Sequence, residues 1–152
     1  MTQIPDLSTF NFRTCIPVRF ADLDTFGKVY DAVYLTYFEI ARSKYLKEVV
    51  KWDWESLGVI IAKSEINYLK PIQNGDDLNA YVRTSRTGTS SFDLEYVLAI
   101  KTVDGEIVCT TGRTVCIAYN FQEKHPEPIP TYQLEKMTGF EMLENVKDAS
   151  AA

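Results

Sequence analysis

Between about residues 30 and 50 the sequence carries one long apolar segment of helical period, and most of the chain beyond it has the period of strands. In DAVYLTYFEIARSKYLKEVV, Tyr34, Phe38, Ala41, Tyr45 and Val49 recur at three- and four-residue steps, flanked by Leu35, Tyr37, Ile40 and Leu46. No glycine or proline interrupts the run. An apolar surface this wide must be covered around most of its circumference, which predicts a helix enclosed by the rest of the fold. Asp31 near its start and Arg42, Lys44 and Lys47 toward its end suit the helix dipole.

The remaining apolar residues alternate. In FRTCIPVRF, Phe12, Ile16, Val18 and Phe20 share one parity, and Pro17, which cannot donate to a ladder, points to an edge strand. Ile60, Ala62, Ile66 and Tyr68 alternate up to Pro71, and Leu78, Ala80 and Val82 come after the turn QNGDD. SSFDLEYVLAIKT places Phe92, Leu94, Tyr96, Leu98 and Ile100 on one face. Asp104-Gly105 signals a hairpin, and EIVCTTGRTVCIAY returns as a long strand. A peripheral second helix is expected over residues 131–146. These elements predict one α+β domain over residues 1–152, its core at about 11–131, with a long central helix wrapped by a curled antiparallel sheet of about five strands. The other sheet face, with Val97, Ala99 and Val108, is too apolar to be fully wetted, and a second subunit is expected against it.

Composition removes several classes of function. With a net charge of −5 the chain has no overall basic field for nucleic acid, although a local patch could hold one phosphate ligand. No apolar run reaches the roughly 18 residues that span a bilayer, and MTQIPDLSTFNF lacks the pattern of a signal peptide. Cys15, Cys109 and Cys116 are odd in number and widely spaced, as in a reduced, cytoplasmic protein. There is no CxxC, and the single histidine, His125 in EKHPEPIP, reads as an exposed loop residue, so no metal or prosthetic group is expected.

The stretch RFADLDTFGKVYD precedes the long helix, with Asp22 and Asp24 two residues apart. Aspartates at such a junction commonly serve as helix caps or turn residues. The same position also suits catalysis. Unpaired N–H groups at a helix start stabilise a carbonyl oxygen gaining negative charge, and a nearby carboxylate can activate water or attack the carbonyl. Gly27 permits a sharp turn and close approach of a substrate to the backbone. The residues alone leave both readings open.

RFADLDTFGKVYDAVYLTYFEIAR resembles the signature of the 4-hydroxybenzoyl-CoA thioesterase-like family of hotdog-fold acyl-CoA thioesterases, loosely R-[FY]-x-D-x-D-x-x-G-x-V, then a tyrosine and a Y-[FL]-E-x-A-R helix. INYLKPIQNGDDL and TGTSSFDLEYVL match further family segments, so the likeness covers roughly residues 13–131. It implies the hotdog fold, homodimers or dimers of dimers joined through their sheets, and an active site at the dimer interface. It also implies hydrolysis of an acyl-CoA or aryl-CoA thioester, with coenzyme A entering as part of the substrate and no cofactor.

Carried over by position, Asp24 becomes the nucleophile or general base, and the backbone amide of Asp31 the oxyanion donor, with Val29 and Tyr30 beside it. Asp22 becomes a structural partner bonded to turn amides. Gly27, Lys28 and Tyr34 fall in the substrate site, Tyr34 either beside the acyl group or as a core tyrosine. Arg83, Arg86, Ser90 and Ser91 fall where relatives bind the nucleotide of coenzyme A, though the basic run is thin here. Glu39 and Arg42 match the E-x-A-R element as structural or interface residues. Many relatives carry a histidine after the glycine or in the next V-Y-H element. This chain has Lys28 and Asp31 there, which removes an imidazole partner for Asp24. Two alternatives therefore stand beside acyl-CoA hydrolysis: a carrier-protein thioesterase, and a non-catalytic dimer that binds an acyl ligand.

Overall fold

In the computed structural model, which describes residues 3–143, one helix lies across the inner face of a curled antiparallel sheet. The elements are β1 (Phe12–Ile16), α1 (Val33–Tyr45), β2 (Gly58–Tyr68), β3 (Leu78–Thr87), β4 (Ser91–Thr102), β5 (Gly105–Asn120), β6 (His125–Pro126) and α2 (Thr131–Glu141). The strand order is β1-β3-β4-β5-β2, with β6 added to β5. β4 turns its expected face inward: Leu94, Tyr96 and Leu98 are fully buried against α1. Phe38 of α1 stacks on Tyr96 with centroids 4.4 Å apart. Gly112 of β5, opposite Tyr96, makes that stack possible, because a Cβ there would lie 2.3 Å from the Phe38 ring.

Three expectations need correction. Helix α1 begins at Val33 rather than near residue 30, and its last stretch, Leu46–Val50, widens into a π-type turn ending at Lys51 in the left-handed region (φ 58°). The first strand stops at Ile16: Pro17 halts the ladder, and Phe20 begins a 3-10 turn, Phe20–Asp22, with its side chain in solvent. In β2 a bulge between Ile61 and Lys63 leaves Ala62 without a partner on β5 and reverses the parity, so Ile60 shares the outer face with Ile117, while Ile66 and Tyr68 pair with inner-face residues Gly112 and Thr110.

Helix α2 covers residues 131–141, and the end of the expected 131–146 helix lies outside the described residues. Its Glu141 reaches β3, where Oε2 accepts the Thr84 N–H at 2.8 Å and the Tyr45 hydroxyl at 2.7 Å. The apolar outer face is partly covered by the chain itself. Leu7 and Phe10, from the segment before β1, pack on Tyr81, Val97, Ala99 and Val108.

Candidate active site

The loop between β1 and α1 is organised by its two aspartates. Asp22 is buried, and Tyr37 and Arg19 occupy both its oxygens. Oδ1 accepts from Arg19 Nε (3.1 Å) and Nη2 (2.7 Å), and Oδ2 from the Arg19 N–H (3.0 Å) and the Tyr37 hydroxyl (2.8 Å). Burial alone would raise the Asp22 pKa, but these hydrogen bonds outweigh it and hold the carboxyl below its ordinary value. Burial, then the Asp22 carboxylate, push the Tyr37 hydroxyl upward. The Asp22 carbonyl also accepts the Tyr30 N–H at 3.0 Å, tying the loop to the start of the helix.

Asp22 thus bonds one turn amide, that of Arg19, while Asp24 gathers two from the turn that follows it. Asp24 Oδ1 accepts the N–H groups of Phe26 (2.8 Å) and Lys28 (3.0 Å), closing a turn in which Gly27 has φ 77°, a conformation that favours glycine. Oδ2 takes no hydrogen bond from the described residues. Asp24 is thus a turn residue with one carboxylate oxygen still available.

The turn is pinned to the segment after β2. Val29 N–H donates to the Ile72 carbonyl (2.9 Å), Asn74 N–H to the Gly27 carbonyl (3.1 Å), and Ile72 N–H to the Tyr34 hydroxyl (3.1 Å). Between the two segments lies a cleft of about 290 Å³. Asp24, Lys28, Val29, Asp31 and Tyr34 form one wall, and Tyr68, Leu69, Lys70 and Pro71 the other. The lining holds two carboxylates and two ammonium groups, and neither Lys28 nor Lys70 is in an ion pair among the described residues.

No side chain caps α1: its N-cap is Ala32, so none of the aspartates plays the capping role. Val33 and Tyr34 donate their N–H groups to the Tyr30 and Asp31 carbonyls, whereas the N–H groups of Asp31 and Ala32 have no acceptor among the described residues. The cleft therefore combines a carboxylate oxygen with the positive end of a helix, a set able to activate water and to stabilise an oxyanion.

The structure brings together Asp24, Gly27, Lys28, Val29, Asp31 and Tyr34. Tyr30 is half exposed and outside the cleft lining. Arg83, Arg86, Ser90 and Ser91 lie elsewhere within the chain: Ser91 pairs with Ile117 of β5 and Tyr68 with Thr110. That is a separation of roughly 23 Å along the strand. Arg83 is held by Glu95 (2.7 and 2.9 Å) and Thr9, and Arg86 by Asp93 and Ser91. Arg42 donates to the Tyr96 hydroxyl at 3.2 Å, a structural use, while Glu39 is exposed. Sequence reasoning missed Leu69, Lys70 and Pro71, and read Tyr68 as a strand residue. The Y-x-x-P spacing before the turn was the one local signal.

A larger hollow of about 450 Å³ lies on the outer sheet face. Both its arginines are paired with lining carboxylates, Arg83 with Glu95 and Arg113 with Glu65, and Asp6 is bonded to Ser8, so the smaller cleft better fits chemistry. One described group could gather around a metal ion, Glu123, His125 and Glu127 on the β5–β6 hairpin. It stands at the opposite end of β5 from the cleft, and its members already pair with one another. No described helix is long and apolar enough to cross a membrane.

The profile of the thioesterase-like superfamily matches residues 18–137. The chain belongs to that superfamily. This thioesterase is 30% identical over 111 residues to the protein YsmA of Bacillus subtilis, covering 72% of this chain and 74% of the relative. It is 30% identical over 118 residues to a 1,4-dihydroxy-2-naphthoyl-CoA hydrolase of Thermosynechococcus vestitus, covering 74% and 80%. A thioesterase of Thermus thermophilus, solved in complex with coenzyme A and zinc, superposes with a TM-score of 0.77 at 31% identity, over 90% of this chain and 98% of that one.

Proposed function

We propose that this thioesterase hydrolyses an acyl-CoA or aryl-CoA thioester to the free acid and coenzyme A, as in the 4-hydroxybenzoyl-CoA thioesterase-like family. The observation that carries the reading is the Asp24 carboxylate, anchored through Oδ1 with Oδ2 left over, in the same cleft as the uncapped start of α1. The thioester carbonyl sits against the Asp31 N–H. Asp24 either removes a proton from the attacking water or attacks the carbonyl carbon itself, forming an anhydride that water then cleaves. Negative charge on the carbonyl oxygen is held by the amide, the C–S bond breaks, and the thiolate leaves and takes up a proton. None of these steps calls for a metal or prosthetic group.

Lys28 and Lys70 offset the charges of Asp24 and Asp31 and give an anionic group of the substrate a place at the cleft. The rings of Tyr34 and Tyr68 form an acyl wall that suits an aryl group. The naphthoyl-CoA hydrolase and the coenzyme-A-bound thioesterase among its relatives support this substrate class. The nucleotide is assigned to Arg83, Arg86, Ser90 and Ser91, the enzyme to a cytoplasmic homodimer or dimer of dimers. One observation favours a second reading. Both arginines are already paired within the chain, which suits a carrier-protein thioester lacking the adenosine phosphates.

The test is thiol release from short-chain, long-chain, benzoyl and hydroxyphenylacetyl thioesters of coenzyme A and of pantetheine, comparing the native protein with Asp24→Asn. Turnover is expected to fall by about a hundredfold or more in the variant. Undiminished turnover would remove Asp24 from the mechanism. Equal rates with pantetheine thioesters would favour the carrier-protein substrate, and silence from both proteins would leave an acyl-binding dimer.

A further inference from the structure

Tyr68, the last residue of β2, stands in the cleft with its ring edge-on to Tyr34, centroids 4.9 Å apart and planes at 72°. Its hydroxyl donates to the Asp31 carbonyl at 2.9 Å. The same oxygen accepts the Tyr34 N–H at 3.3 Å, from the first turn of α1. A peptide group is planar and trans, so a carbonyl drawn toward the helix sends the N–H of the same group the opposite way. That N–H belongs to Ala32, whose backbone is already helical (φ −65°, ψ −27°). One peptide earlier, the Tyr30 carbonyl accepts the Val33 N–H at 3.0 Å and orients the Asp31 N–H alike. The helix start therefore presents two adjacent outward donors, and a side chain from the sheet holds the second.

We infer that Tyr68 is a positioning residue for thioester hydrolysis: its hydroxyl fixes and polarises the Asp31–Ala32 peptide, so that the Ala32 N–H joins the Asp31 N–H in holding the oxyanion. The inference rests on the thioesterase reading of the cleft and adds to it a second donor and the group that sets it. A hydrogen bond given to a carbonyl strengthens the N–H of the same peptide as a donor. Partial burial, then the Asp31 charge, raise the Tyr68 pKa, so the hydroxyl keeps its proton through the neutral and mildly basic range.

Tyr68→Phe removes the hydroxyl and leaves the ring against Tyr34. Weakening one oxyanion donor without deleting it is expected to lower kcat by about tenfold, less than the loss of a whole donor, with KM unchanged. In 15N-labelled protein held well below its melting temperature, the Ala32 amide proton is expected to move upfield in the variant, as a depolarised donor does. An unchanged kcat in an active enzyme, a raised KM at constant kcat, or an unmoved Ala32 signal would each overturn the inference while the thioesterase reading stands. Absence of thiol release by the native protein would instead bring down that reading, and the catalytic role of Tyr68 with it.

Discussion

Both oxygens of Asp22 are committed to Arg19 and Tyr37, whereas Asp24 spends one oxygen on turn amides and keeps the other. A carboxylate enclosed by four donors is a poor general base, because protonating it means giving up those bonds. Asp22 instead ties the loop to α1, and its depressed pKa makes it a contributor to acid stability. A group whose folded pKa lies below its unfolded value stabilises above the unfolded value, about 4, and loses that contribution as pH falls through the folded one. Asp22→Asn is expected to cost about 2 kcal/mol at pH 7, the scale of hydrogen bonds to a charged group. In urea unfolding, its deficit against the native protein should shrink as the pH is lowered to about 3, below the unfolded value. A deficit independent of pH would mean that the charge is not what the site uses.

At the scale of elements, the sheet edge at β1 is closed by neighbouring parts of the chain. β1 reaches only Phe12 opposite Val82, and beyond it Glu141 of α2 takes over the Thr84 N–H. Burial raises the Glu141 pKa, against hydrogen bonds from Tyr45 and Thr84 that lower it. The sign is opposite to that of Asp22. An acid raised in the folded state costs stability as pH climbs from its unfolded value, about 4.3, through the folded one, and the cost is constant above. Glu141→Gln retains an oxygen for both donors and removes the half-buried charge, so its stability at pH 7 should equal or exceed that of the native protein. Glu141→Ala takes the nearer acceptor from the Thr84 N–H, leaving it the longer 3.3 Å bond to the Tyr45 hydroxyl, and is expected to cost about 1 kcal/mol. Chemical denaturation of the two variants checks this, and equal losses would show that Glu141 acts only by packing.

For the whole molecule the two sheet edges differ. The β1 edge is short and carries further ties, Lys44 to Thr14 and Asn11 to the Phe140 carbonyl. The β2 edge runs over 11 residues, with Ile61 and Tyr68 exposed beside it. A long open edge with apolar neighbours favours pairing with another strand. A dimer, of mass about twice 17.3 kDa, is the expected species in sedimentation, joined along β2. Ala62, the bulge residue without a partner on β5, offers a clean test. Proline is tolerated at bulges and blocks edge pairing, so Ala62→Pro should yield a folded monomer. A variant that stays dimeric would place the contact elsewhere.

Much of this was legible in the residue pattern, because helical and strand periods are local properties of a chain. The run from Tyr34 to Tyr45 can bury its wide apolar face only inside a wrapped sheet, and Phe92, Leu94, Tyr96, Leu98 and Ile100 keep one face of β4, so the α+β arrangement was readable from sequence. The D-x-D-x-x-G segment likewise marked the loop that carries Asp24. What local pattern could not reach was decided by contacts between distant segments. The bulge at Ala62 reverses the faces of β2 without altering its composition. Which aspartate keeps a free oxygen depends on where Arg19 and Tyr37 meet Asp22. Tyr68 and Lys70 join the cleft only because β2 pairs with β5 in one register, which carries residues some forty positions beyond the aspartates back to the start of α1. Register is a property of the assembled sheet, and no single strand contains it.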